Sequence, residues 1–131
     1  MPGMAPARFY GEITMSQRIL IVDDNESLLS GMETMIEMVF DDVEINLANS
    51  GAQAAQHLRS GKPDLVFLDM NLPDVKGTQI LEVIQKNWPG LPVFILSGES
   101  DLANIPGAAG VLLKPVMPKT LTALIEKHIA V

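Results

Sequence analysis

The chain has 131 residues, enough for one domain and too few for two independent cores, and its 47% hydrophobic against 19% charged residues argue against wholesale disorder. Nine Lys and Arg against sixteen Asp and Glu give a formal charge of −7, which speaks against direct nucleic-acid binding, because phosphate contacts need clustered cations. The absence of cysteine excludes a disulfide framework, a thiolate metal site and cysteine catalysis. No apolar run approaches the roughly 18 residues of a membrane span, so a cytoplasmic protein with no membrane partner is expected.

Residues 1–16 hold two Pro and two Gly without sustained periodicity, and an extension poorly ordered unless Phe9, Tyr10 and Ile13 find an apolar surface is expected ahead of a domain over 17–131. Ile19-Leu20-Ile21-Val22 reads as a first strand stopping at Asp23-Asp24. From Asn25, the residues Leu28, Leu29, Met32, Met35, Ile36 and Val39 recur at helical spacing, with Glu26 in the first turn where the helix dipole favours an acid. Val43, Ile45 and Leu47 alternate with Glu44 and Asn46 as in a half-buried strand. Ser50 and Gln53 then have the spacing of a capping box that opens a helix running to about Arg59.

Gly61-Lys62-Pro63-Asp64 breaks the chain, and Leu65-Val66-Phe67-Leu68 is continuously apolar, the pattern of a parallel strand covered on both faces; it ends on Asp69. Leu72-Pro73-Asp74 forces a turn. Gly77 or Thr78 opens a helix bearing Ile80, Leu81, Ile84 and Trp88, closed by Pro89-Gly90. Residues 92–96 form a fourth strand ending on Ser97. The stretch 97–110, with its glycines and Pro106, leaves room for at most a short helix near 102–105. Val111-Leu112-Leu113 is a short fifth strand ending at Lys114-Pro115, and Pro118 suits the start of a last helix whose inward stripe is Leu121, Leu124, Ile125 and Ile129.

Strand and helix alternate throughout, which implies a doubly wound α/β fold: one parallel sheet, right-handed crossovers, helices on both faces. In such sheets ligands sit beyond the carboxyl ends of the strands. There the sequence places Asp23 and Asp24 after strand one, Asp69 after strand three, Ser97 after strand four and Lys114 after strand five. Each alone has a bland explanation as a cap, a turn or a surface cation. Five at one edge call for a common one.

Three carboxylates gathered there would repel by roughly 4 kcal/mol per pair at about 4 Å and an effective dielectric near 20. A hard divalent cation with oxygen ligands relieves this, and Mg2+ suits a site with few carboxylates and several waters. A carboxylate kept ionised beside a metal and an ammonium can attack phosphorus to give an acyl phosphate. The three equatorial oxygens of the phosphoryl group would meet the metal, Lys114 and the Ser97 hydroxyl. No activated water or general base is evident, so hydrolysis of such an acyl phosphate is expected to be slow.

Ile21-Val22-Asp23-Asp24, Phe67-Leu68-Asp69-Met70-Asn71-Leu72-Pro73 and Leu112-Leu113-Lys114-Pro115, in this order and with Ser97 between the last two, resemble the receiver domain of two-component response regulators. The resemblance covers about residues 17–131. It implies a flavodoxin-like doubly wound sheet of five parallel strands in the order 2-1-3-4-5; the shortness of the 97–114 stretch makes the fourth helix short or absent. It makes Asp69 the phosphoacceptor, Asp24 a direct Mg2+ ligand, Asp23 a ligand through water and Asn71 a ligand through its backbone carbonyl. Ser97 would be the switch hydroxyl and Lys114 the phosphoryl-binding cation, with a cis bond before Pro115. Val111 stands where relatives usually carry the aromatic ring of the switch, and Asn71 and Glu99 stand at positions that tune the loss of phosphate.

The implied partner is a histidine kinase or a histidine phosphotransfer protein, with a homodimer or an output domain of a longer protein as further possibilities. The implied activity is a phosphorelay signalling step that supports its own phosphorylation and slow dephosphorylation, without multi-turnover catalysis on external substrates. Two other readings stand beside it. A small Mg2+-dependent phosphohydrolase would want a second acid two residues after Asp69, where this chain has Asn71, and a cap domain. A phosphate-independent interaction module would keep only the fold. His57 and His128 fall on helices away from the acidic edge, and Trp88 reads as a packing residue.

Overall fold

The computed structural model describes residues 17–98 and 105–129. In chain order its elements are β1 (Gln17–Val22), α1 (Glu26–Glu37), β2 (Val43–Ala48), α2 (Gly51–Ser60), β3 (Leu65–Asp69), α3 (Gly77–Asn87), β4 (Val93–Ser97), β5 (Gly110–Leu113) and α4 (Pro118–His128). The strands form one sheet in the order β2-β1-β3-β4-β5, and every neighbouring pair is parallel.

The continuous apolar runs follow from a sheet buried on both sides, since successive side chains of a strand face opposite ways. Ile19, Ile21, Leu65, Phe67, Phe94 and Leu96 pack with Leu29, Met32 and Ile36 of α1 and with Leu121 and Ile125 of α4. Leu20, Val22, Val66, Leu68, Val93 and Ile95 pack on the other side with Ala54 of α2 and Ile80, Leu81 and Ile84 of α3. β2 lies at the edge, which explains its polar alternation: Val43, Ile45 and Leu47 reach the core while Glu44 is exposed.

Local caps set the helix boundaries. Asn25 caps α1 by accepting from Leu28 N, and Ser50 caps α2 by accepting from Gln53 N. The reciprocal arm of the α2 box goes one residue further back than the usual pattern, because Gln53 Oε1 accepts from Asn49 N at 2.7 Å. Pro118 occupies the first turn of α4, where its missing N–H costs nothing.

α1 is shorter than its apolar spacing predicts. It ends at Glu37, and Val39 and Phe40 both donate their amides to Ile36 O. That tightened end turns Phe40 inward and leaves Val39 54% exposed, so Val39 does not join the buried stripe. Between β4 and β5 no helix occurs among the described residues; the expected short helix near 102–105 and Glu99 lie outside them. Ile105, Ala108 and Val111 pack on the α2–α3 side of the sheet.

Candidate functional site

Strand register carries the polar strand ends to one edge. Val22 is level with Leu68, so Asp23 and Asp69 follow at the same height. Asp69 pairs with Leu96 and Ser97 with Leu113, which raises the edge by one residue at each step from Asp69 to Ser97 to Lys114. Lys114 N donates to Ser97 O at 2.7 Å, and the Lys114–Pro115 bond is cis.

Asp23 is completely buried. Its Oδ1 accepts from Asn25 N at 2.9 Å, and its Oδ2 lies 2.8 Å from Lys114 Nζ without an aligned hydrogen-bond donor. The same ammonium stands 3.9 Å from Asp69 Oδ1, which also accepts a long bond from Asn71 N at 3.4 Å. Asp24 is exposed, and with Asp69, Asn71, Ser97 and Lys114 it lines an open cavity of about 460 Å³. Ser97 is buried at the end of β4.

One carboxylate oxygen from each of Asp23, Asp24 and Asp69 can be chosen so that all three lie within 4.8 Å of one another. Burial pushes the Asp69 carboxyl above its ordinary 3.8 and the adjacent Asp23 pushes it further, while Lys114 and the Asn71 N–H pull it down and Asp24 adds a smaller rise. Three acids against one ammonium leave negative charge uncompensated. An all-oxygen set of three carboxylates with only one ammonium among them fits a hard divalent cation, so the cluster could hold a metal.

The site therefore assembles Asp23, Asp24, Asp69, Ser97, Lys114 and Asn71, while the histidines stay away. His57 Nε2 contacts Leu47 O at 3.1 Å, and His128 contacts Leu124 O at 3.0 Å with its ring edge-on to Phe94. A second cleft, of about 490 Å³ between α2 and α3, is lined by Leu58, Val75, Ile80, Val83 and Trp88, and its one charged lining residue is Arg59. The reading of the sequence missed Asp74, treated there as a turn former: its carboxylate accepts from Gly51 N at 2.8 Å and Ala52 N at 3.0 Å at the start of α2. Those amides, Gly51 foremost, hold its carboxyl below the usual range. Nothing in the local sequence links position 74 to position 51.

The family model of the response regulator receiver domain matches residues 19–126. The chain belongs to that family. Over 121 residues the receiver domain is 31% identical to the DNA-binding response regulator MtrA of Mycolicibacterium smegmatis, a match covering 88% of this chain and 52% of MtrA. It is 32% identical over 117 residues to the nitrate/nitrite response regulator protein NarL of Escherichia coli K12, covering 86% and 54%. The chain thus spans about half the length of these curated relatives. Among solved structures it is similar to a CheY-like response regulator receiver domain protein from Methanospirillum hungatei, with 28% identity, a TM-score of 0.74, and 86% of this chain and 92% of that one covered.

As a receiver domain the molecule is a signalling module of the two-component type, and phosphorylation-dependent signalling is consistent with its acidic pocket. Val111 is half-buried and packs, like Ile105 and Ala108, against the core on the α2–α3 side of the sheet. No helix among the described residues is long and apolar enough to cross a membrane.

Proposed function

We propose that residues 17–131 form an Mg2+-dependent receiver that accepts a phosphoryl group onto Asp69 from the phosphohistidine of a histidine kinase or histidine phosphotransfer protein, with residues 1–16 an extension outside the module. In that step the P–N bond of the donor breaks as a bond forms between phosphorus and an Asp69 carboxylate oxygen, and the leaving imidazole takes up a proton. Asp24, Asp69 and the Asn71 carbonyl would hold Mg2+ directly, and Asp23 through water. The metal, when bound, supplies charge that offsets the developing negative charge on the phosphoryl oxygens.

The chain's own groups do the rest. Lys114 contributes the fixed cation and Ser97 a hydroxyl toward the same oxygens, so both tie the end of β4 and the end of β5 to the phosphorylated state. Asn71 and Glu99 tune how water reaches the acyl phosphate, whose hydrolysis is slow because no activated water or general base is evident among the described residues. Val111 cannot report the event by rotating a ring. A cytoplasmic location, self-association and an output domain in a longer protein belong to the same proposal.

The observation that carries this reading is one ammonium, Lys114 Nζ, 2.8 Å from buried Asp23 and 3.9 Å from Asp69, beside a cavity that Ser97 and Asp24 also line. The test is incubation with acetyl phosphate and Mg2+, followed by intact-mass measurement. One phosphoryl group should appear in the wild type and none in Asp69→Asn; labelling that survives Asp69→Asn refutes the assignment.

A further inference from the structure

The end of β2 contributes no acid, hydroxyl or cation to the pocket, yet the turn after it is tied to both loops that do. On one side Asn49 Nδ2 donates to Glu26 Oε2 at 3.0 Å, and Glu26 opens α1 directly after Asp23-Asp24-Asn25. On the other side Gly51 N and Ala52 N donate to the two oxygens of Asp74, which lies in the loop running from Asp69 and Asn71 to α3. The turn is internally closed by the Gln53 N to Ser50 Oγ bond and the Asn49 N to Gln53 Oε1 bond.

The fit between the turn and the Asp74 loop is close. A Cβ on Gly51 would run into Val75 Cγ2 and come within 3.2 Å of Asp74 Oδ1, so the start of α2 is shaped to let residues 74 and 75 seat against it. The Asp74 carboxylate satisfies two first-turn amides and lies where the helix dipole favours a negative charge. At its base the same loop is closed by Gly77 N donating to Met70 O at 2.8 Å and by an antiparallel bridge between Asn71 and Lys76. It is therefore held at base and tip, with Asn71 part of the base and Asp74 the tie at the tip.

We propose that the β2–α2 turn is a brace that fixes the separation of the two acid-bearing loops, and that Asp74 is the positioning residue through which it holds the loop of Asn71. The proposal rests on the metal-binding reading above. Mg2+ demands near-ideal octahedral geometry, so its affinity responds to how firmly distant ligands are held, and outer partners of ligands commonly change affinity by about tenfold or more.

The test is a Mg2+ titration of the metal-free protein followed by backbone amide chemical shifts, for wild type, Asp74→Ala and Asp74→Asn. Asp74→Ala should weaken Mg2+ binding roughly tenfold, and Asp74→Asn, which keeps one acceptor for the α2 amides, should recover part of the loss. In acetyl phosphate labelling the half-saturating Mg2+ concentration should rise in Asp74→Ala while the rate at saturating Mg2+ stays near wild type. Should Asp74→Ala fail to fold, Asn49→Ala cuts the other tie and should weaken Mg2+ binding in the same direction. Unchanged affinity in a folded variant, a loss that Asp74→Asn does not recover, or a labelling rate lowered equally at every Mg2+ concentration overturns the brace. A wild type that gives no shifts with Mg2+ overturns the underlying metal reading instead, which keeps the two failures distinct.

Discussion

Replacing Asp69 by Asn should make the metal-free protein more stable, although it deletes the group at the centre of the site. The Asp23 carboxylate, no more than 4.8 Å away, repels Asp69 by at least about 3.5 kcal/mol at an effective dielectric near 20. Lys114 Nζ, at 3.9 Å, returns about 4.3 kcal/mol on the same scale. Lys114 is 31% exposed and Asp24 lies in solvent, so both their contributions are reduced by screening. The Coulomb terms nearly cancel and burial decides the sign, in agreement with the raised pKa of Asp69. Asn keeps the oxygen that accepts from Asn71 N and drops the charge. The expected gain is on the order of 1 kcal/mol, or about 3 °C in Tm for a domain of this size. An acid whose folded pKa lies above its unfolded value penalises the folded state fully above the folded pKa, and the penalty fades as pH falls toward the ordinary 3.8. The advantage of Asp69→Asn should therefore shrink between neutral pH and about pH 4. Mg2+ at a hundredfold excess over its Kd should stabilise the wild type by about 2.7 kcal/mol and the variant by much less. Scanning calorimetry with and without Mg2+ across that pH range measures all three quantities. A variant less stable than wild type in metal-free buffer, or equal stabilisation of both by Mg2+, would refute the charge-frustrated pocket.

Lys114→Ala should retain or tighten Mg2+ binding, because a competing cation is gone, while weakening the shift response to beryllofluoride. It should also cost roughly 1–3 kcal/mol in urea unfolding, since a buried Asp23 loses its ion pair, a value below that of a fully buried pair because Lys114 is partly exposed. Ser97→Ala should leave Mg2+ affinity within about twofold and slow acetyl phosphate labelling; unaltered labelling would remove the hydroxyl from the proposed site. Gly77→Ala would set a Cβ against the Asp69 backbone oxygen and within 2.7 Å of Met70 Cα. Backbone cannot yield as a flexible side chain can, so urea unfolding should show a loss of about 1–3 kcal/mol, and an unchanged midpoint would contradict the close approach.

The parts of this domain that periodicity controls were legible without coordinates. Two-sided burial makes β3 and β4 continuously apolar, edge exposure makes β2 alternate, and polar residues that end such runs come to one edge because parallel register levels the strand ends. What could not be read was pairing between elements distant in sequence where neither partner is chemically distinctive. Asp74 looks like any acid in a Pro-containing turn, and Gly51 like any small residue after a cap, until the β3–α3 loop folds back on α2. The end of α1 escaped for a related reason. Val39 continues the helical apolar spacing, but the connection to an edge strand requires the chain to turn after Glu37, and that demand overrides the local pattern in favour of burying Phe40.

The charge balance of the pocket also constrains how its two proposed ligands must behave together. Three carboxylates against one ammonium leave about two surplus negative charges around Asp69. Phosphorylation would replace the single charge of the Asp69 carboxylate by about −1.5 to −2 on the acyl phosphate, a net addition of roughly −0.5 to −1, which Lys114 alone cannot offset because its nearer partner is already Asp23. A divalent cation restores near-neutrality before the phosphoryl group arrives, so metal and phosphate should favour each other. Linkage makes that preference reciprocal: whatever factor Mg2+ adds to beryllofluoride affinity, beryllofluoride must add to Mg2+ affinity. Because Lys114 attracts the anion and repels the metal in two separate pairwise terms, Lys114→Ala should raise the affinity for Mg2+ alone and lower that for the anion while leaving this factor unchanged. A factor that falls in Lys114→Ala would mean that Lys114 works through the metal, and the division of labour inferred from its two ion pairs would be wrong.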